Sequence, residues 1–98
     1  MRVIMTMKWD GVSSDQYDHM RKSINLDADT PKGLVFHSAG FKDGAAHVTD
    51  VWETADDFNA FVKDHLMAAA AEANISGEPQ VEIFPVHAVW TPLVAVSA

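Results

Sequence analysis

The sequence contains no cysteine, which removes disulfide staples, thiolate metal sites and a cysteine nucleophile together. Basic residues are scarce: seven Lys and Arg stand against fourteen Asp and Glu, for a formal net charge of −7. The seven are scattered rather than grouped, and a phosphate backbone is repelled by such a balance. Nucleic acid is therefore not an expected partner, and an anionic membrane surface is disfavoured for the same reason. The acidic excess itself reads as solubility. Long hydrophobic runs are also missing. The weakly polar stretch from Leu66 to Ala73 is too short to cross a bilayer and contains Glu72. The opening segment, broken by Lys8 and Asp10, is too short for the apolar core of a signal peptide. These absences point to a cytoplasmic protein that does not engage membranes. There is no Gly-rich phosphate loop, no G-x-S-x-G elbow, no internal repeat and no low-complexity segment.

What is present is a chain of 98 residues, 48% of them hydrophobic. That length makes one domain, residues 1–98. A domain this small buries a modest share of its unfolded surface, and without cysteine the remaining common source of stability is oligomerisation. Arg2 to Lys8 reads as a strand, and Trp9-Asp10-Gly11 as a turn. Ser13 and Gln16 have capping-box spacing, and Tyr17, Met20 and Ile24 recur at helical spacing, which predicts a helix from Ser14 to Leu26. Pro31 and Gly33 mark a loop. Two strand-like runs, Leu34 to Phe41 and Ala46 to Glu53, flank Asp43-Gly44, the residue pair favoured where both turn positions need positive φ. Thr54 caps a second helix whose apolar stripe carries Phe58, Phe61, Val62, His65, Leu66, Ala69 and Ala73. Gly77 and Pro79 end it, and Gln80 to Trp90 reads as a last strand with Pro85 at an edge or bulge.

The order βαββαβ is the split βαβ pattern of the α+β, ferredoxin-like fold. It predicts an antiparallel sheet in the order 4-1-3-2 with both helices on one face. The other, largely apolar, face is left for association. The apolar tail, residues 91–98, is expected to pack on a partner subunit.

Val48-Thr49-Asp50-Val51-Trp52-Glu53-Thr54 followed by Phe58 resembles the antibiotic biosynthesis monooxygenase group of the dimeric α/β-barrel superfamily. The resemblance covers nearly the whole chain by element order, and Val48 to Leu66 by motif. It implies a homodimer in which two sheets form a barrel, each protomer keeping a pocket between its sheet and its helices. It also implies cofactor-independent monooxygenation, or a related isomerisation, of a small aromatic or polyketide-like compound. The haem-degrading branch shares Trp52. Its first-strand Asn falls on Met7 here and its axial His on Ala71, so haem degradation is not expected.

With Asp43-Gly44 as a two-residue loop, Lys42 pairs with Ala45, which places His37 opposite Asp50, Val35 opposite Trp52 and Ala39 opposite Val48. Alternation then sets Val35, His37, Ala39, Phe41, Ala46, Val48, Asp50 and Trp52 on one face. The resemblance makes that the helix-covered face, so His37 and Asp50 point into the pocket. A carboxylate beside an imidazole fixes its tautomer, which suits the ring to general-base work. Met7, Tyr17, Trp52, Phe58, Phe61 and His65 are the candidate ligand-binding residues around this pair. The plainer alternative is a cross-strand pair stabilising the sheet by about 0.2–1 kcal/mol, with His65 a satisfied core residue. A metal site of His37, Asp50 and His65 has no motif spacing behind it, so no metal is expected. His19, His47 and His87 read as structural. Three functions stay open: an enzyme using His37 and Asp50, a non-catalytic small-molecule-binding or stress-related protein with the same pocket, and a structural dimer whose pocket is filled by its own side chains.

Overall fold

Ser13 and Gln16 form the capping box that their spacing predicts. The Ser13 hydroxyl accepts the Gln16 N–H at 3.1 Å, and Gln16 Oε1 accepts the Ser13 N–H at 2.9 Å. Two of the orphan donors at the start of a helix are satisfied this way. In the computed structural model, which describes residues 1–92, helix α1 spans Ser14–Ile24. It stops two residues before the predicted Leu26 because Asn25 turns left-handed at φ 56°. Strand β1 spans Val3–Asp10, β2 Leu34–Lys42, β3 Ala45–Trp52 and β4 Gln80–Pro85. β1 runs through Trp9 and Asp10, which the sequence suggests as a turn; the turn is Gly11, at φ 79°. β4 ends at Pro85, five residues before Trp90, where its partner β1 begins at Val3; one further bond, Val86 N–H to the Arg2 carbonyl at 3.0 Å, closes the ladder.

The sheet order is β2-β3-β1-β4 with every pairing antiparallel, the predicted order read from its other edge. The hairpin has the predicted register: Asp43 and Gly44 take φ 53° and 75°, Lys42 opposes Ala45, Ala39 opposes Val48 and His37 opposes Asp50. Beyond His37 an irregularity between Leu34 and Phe36 brings Leu34, not Val35, opposite Trp52. A bulge of this kind inserts one unpaired residue and resets the side-chain alternation.

The second helix is one continuous rod in three segments: α2 (Ala55–Phe61), a π-helical turn (Val62–Leu66) and α3 (Met67–Glu72). Thr54 caps it by accepting the Asp57 N–H at 3.0 Å, with Asp56 and Asp57 in the first turn, where acidic side chains favour the helix dipole. The inward side chains of β1 (Val3, Met5, Met7, Trp9) pack with Met20, Trp52, Phe58, Ala69, Ala70 and Ala73 into the core, and Met5 and Trp52 are its most completely buried side chains.

The face away from the helices is less apolar than the sequence pattern suggests. Across all four strands its rows read Phe36–Val51–Ile4–Phe84, then Ser38–Thr49–Thr6–Glu82, then Gly40–His47–Lys8–Gln80. Only the first row is apolar throughout. Of the tail, residues 93–98 lie outside the described residues, and Trp90 is exposed. Among the described residues no helix is long and apolar enough to cross a membrane.

Candidate functional site

Among the described residues, Asp50 is the only buried charged or polar one, at 4% exposure. Burying a carboxylate is costly unless its oxygens are satisfied, and here both are. Oδ1 accepts from His37 Nδ1 at 2.6 Å across the β2–β3 ladder, and Oδ2 accepts from the Trp52 indole N–H at 3.1 Å. Trp52 lies two residues along the same strand, so the pleat places both side chains on one face. His37 Nε2 is taken up as well, lying 2.6 Å from the Tyr17 hydroxyl. A carboxylate only accepts, so Nδ1 carries a hydrogen; in the neutral ring Nε2 then presents its lone pair and the Tyr17 O–H donates to it. The result is a chain of hydrogen bonds from helix α1 to the C-terminal end of β3: Tyr17, His37, Asp50, Trp52. The rings of Tyr17 and His37 lie within 6° of parallel, and Phe41 packs edge-on against Tyr17.

These four hydrogen-bonded residues form part of the wall of a cavity of about 70 Å³ between the sheet and the helices. Met7, Tyr17, His37, Asp50, Trp52, Phe58 and Phe61, all expected from the sequence, line it. His65 does not: it is exposed, with its ring 6.0 Å from that of Phe61. The π-helical turn explains the difference. It holds more residues than an α turn, so of His65 and Leu66, both on the expected stripe, only Leu66 faces the cavity. Val35 is likewise replaced by Leu34 in the cavity wall, the consequence of the bulge. Among the described residues no three His, Cys, Asp or Glu side chains converge as metal ligands.

Among the lining residues that the candidate list lacks, two carry polar groups. Arg21 lies one helical turn after Tyr17 on the same face of α1 and borders the cavity; its spacing from Tyr17 was the available signal. Burial pushes the Tyr17 hydroxyl above its ordinary pKa of 10.0, while the Arg21 guanidinium pulls it down and the charges of Asp50 and Asp18 add to the rise. Trp9 is the second. Its indole N–H is buried and has no hydrogen-bond partner among the described residues. It stands with Met7, Phe58 and Leu66 in the partition between this cavity and an open groove of about 470 Å³, which runs along the helical rod and reaches Val81 and Ile83 of β4. Nothing in the sequence marks Trp9 as unpaired, because that depends on what the opposite helix offers.

No family model matches the chain, and no curated protein matches it in sequence. Solved structures do match in fold. A protein of unknown function from Nitrosomonas europaea superposes with a TM-score of 0.70 at 17% identity, over 93% of this chain and 94% of that one. SnoaB, a cofactor-independent oxygenase from Streptomyces nogalater, gives a TM-score of 0.64 at 15% identity over 90% and 95%. A candidate antibiotic biosynthesis monooxygenase from Caulobacter crescentus gives 0.60 at 17% identity over 91% of each chain. At these identities the likeness is one of fold alone: the α+β, ferredoxin-like fold is shared with these structures.

Proposed function

We propose that the protein is a cofactor-independent monooxygenase working as a cytoplasmic homodimer, with His37, oriented by Asp50, as the general base that deprotonates a small aromatic substrate. One observation carries the reading: an imidazole held at 2.6 Å by a buried carboxylate in the wall of an aromatic-lined cavity. A cross-strand ion pair kept only for sheet stability has no need of a cavity. The fold shared with SnoaB, a cofactor-independent oxygenase, is consistent with the chemistry but does not assign it.

The reaction balances without a reductant. An activated ring methylene loses two hydrogens and takes up one atom of dioxygen as a carbonyl. The other oxygen atom leaves with those hydrogens as water, and the electrons come from the substrate. The protein's part is to remove the first proton in a dry site, where the carbanion that reacts with dioxygen is generated. The 70 Å³ cavity is far smaller than a typical pocket for a drug-sized ligand, whereas the adjoining 470 Å³ groove is of that size. The substrate body therefore belongs in the groove, with its acidic end reaching past Met7 and Phe58.

Dithranol, a tricyclic carbon acid that consumes dioxygen once deprotonated, is a suitable probe. The protein is expected to accelerate oxygen uptake over the uncatalysed background. His37→Ala should lose about 10²–10⁴-fold of that acceleration, the usual contribution of a positioned base. Asp50→Asn should lose a comparable factor, because an amide N–H facing Nδ1 forces the opposite imidazole tautomer. Full acceleration by His37→Ala would remove the imidazole from the reaction; binding of dithranol without turnover would favour a non-catalytic binding protein.

A further inference from the structure

His37 has no free nitrogen. Nδ1 is committed to Asp50 and Nε2 to Tyr17, each at 2.6 Å, so a substrate proton cannot reach the ring without displacing the Tyr17 hydroxyl. That hydroxyl donates its one hydrogen to Nε2, and its oxygen retains lone pairs to accept another. Tyr17 lines the cavity alongside His37, on the same helix face as Arg21. The geometry points to Tyr17 as the catalytic residue that meets the substrate: its oxygen takes the substrate's proton as its own proton passes to His37 Nε2.

This relay rests on the reading of His37 as the base. Its balance is simple. One proton leaves the substrate carbon for the Tyr17 oxygen, and one leaves that oxygen for Nε2. Tyr17 ends neutral, the imidazolium sits against the Asp50 carboxylate, and the negative charge is left on the substrate in a cavity bordered by Arg21. No free tyrosinate forms, so the burial that keeps the phenol protonated does not hinder the step. It ensures instead that a proton is present to be passed on. Asp50, held in turn by the Trp52 indole, acts as a positioning residue, because it touches only the imidazole and the indole.

Initial rates of dithranol oxygenation in light and heavy water separate the relay from direct abstraction. With dithranol added undeuterated and rates read before its ring methylene exchanges, direct attack by His37 moves only a carbon-bound proton and gives no primary solvent isotope effect. The relay also moves the exchangeable Tyr17 hydroxyl proton, so the wild-type protein should be slower in heavy water. Tyr17→Phe, checked for an unchanged circular dichroism spectrum, should lose about 10²-fold or more of the acceleration. If that variant does not fold, the wild-type isotope effect decides alone. Wild-type activity without an isotope effect, or full activity in Tyr17→Phe beside an inactive His37→Ala, overturns the relay and leaves His37 as the base. No acceleration by the wild-type protein overturns both.

Discussion

Tyr17 is the only tyrosine in the sequence, so tyrosinate absorbance during an alkaline titration reports this residue and no other. Burial raises its pKa above 10.0, outweighing the pull of the Arg21 guanidinium. A phenol with a higher pKa in the folded chain than in the unfolded one binds its proton more tightly when folded. Its contribution to stability is therefore complete below pH 10 and is lost as pH climbs from there through the folded-state value. Two expectations follow: a tyrosinate midpoint above that of the urea-unfolded chain, and a melting temperature that falls across the same alkaline window. Tyr17→Phe should lessen that fall, and coincident midpoints for folded and unfolded chain would show the hydroxyl to be fully solvated. The residue also marks where sequence reading stops. His37 and Asp50 were legible because an Asp-Gly hairpin sets register and register sets neighbours. The Tyr17–His37 contact spans a helix and a sheet, and no local rule sets the rotation of one over the other.

Two irregular elements separate the expected cavity wall from the observed one. The bulge at Val35 exchanges Leu34 for Val35, and the π-helical turn removes His65 from the wall while Leu66 stays in it. Both insert a residue into a regular period, and a pattern of apolar residues does not show an insertion when its neighbours are apolar too. The chain reaches the bulge through Gly33, which takes φ 86° and lies so close to α2 that a Cβ there would collide with the Asp57 carboxylate. Gly33 also accepts the Glu53 N–H at 2.7 Å, tying the start of β2 to the end of β3. Gly33→Ala should thus cost about 1–2 kcal/mol for the left-handed backbone alone, and more for displacing Asp57 from the capped first turn. Gly40→Ala is the control, since a Cβ at Gly40 meets open space and a surface change of that kind stays within about 0.5 kcal/mol. Equal urea midpoints for the two variants would mean that Gly33 is not under this constraint.

At the scale of the whole molecule, the apolar row on the face away from the helices is Phe36–Val51–Ile4–Phe84, in which Phe84 is exposed and Val51 buried. A chain of 98 residues without disulfides has a small core, and burying this row against a second copy is the simplest way to enlarge it. The polar rows beside it argue for a defined register. Thr6, Thr49 and Glu82 are able to hydrogen-bond across an interface, whereas a wholly apolar face would slide. Phe84 is the residue to test, because it is already 42% exposed and a charge there costs the single chain little. The unmodified protein should have the mass of two chains by light scattering, and a melting temperature that rises with protein concentration, as linkage requires of an associating species. Phe84→Lys should shift the mass toward one chain and flatten that concentration dependence. A single-chain mass for both proteins would leave the open face solvated. The relay from Tyr17 to Asp50 lies on the opposite side of the sheet and would be unaffected by that result, because every one of its hydrogen bonds lies within one chain.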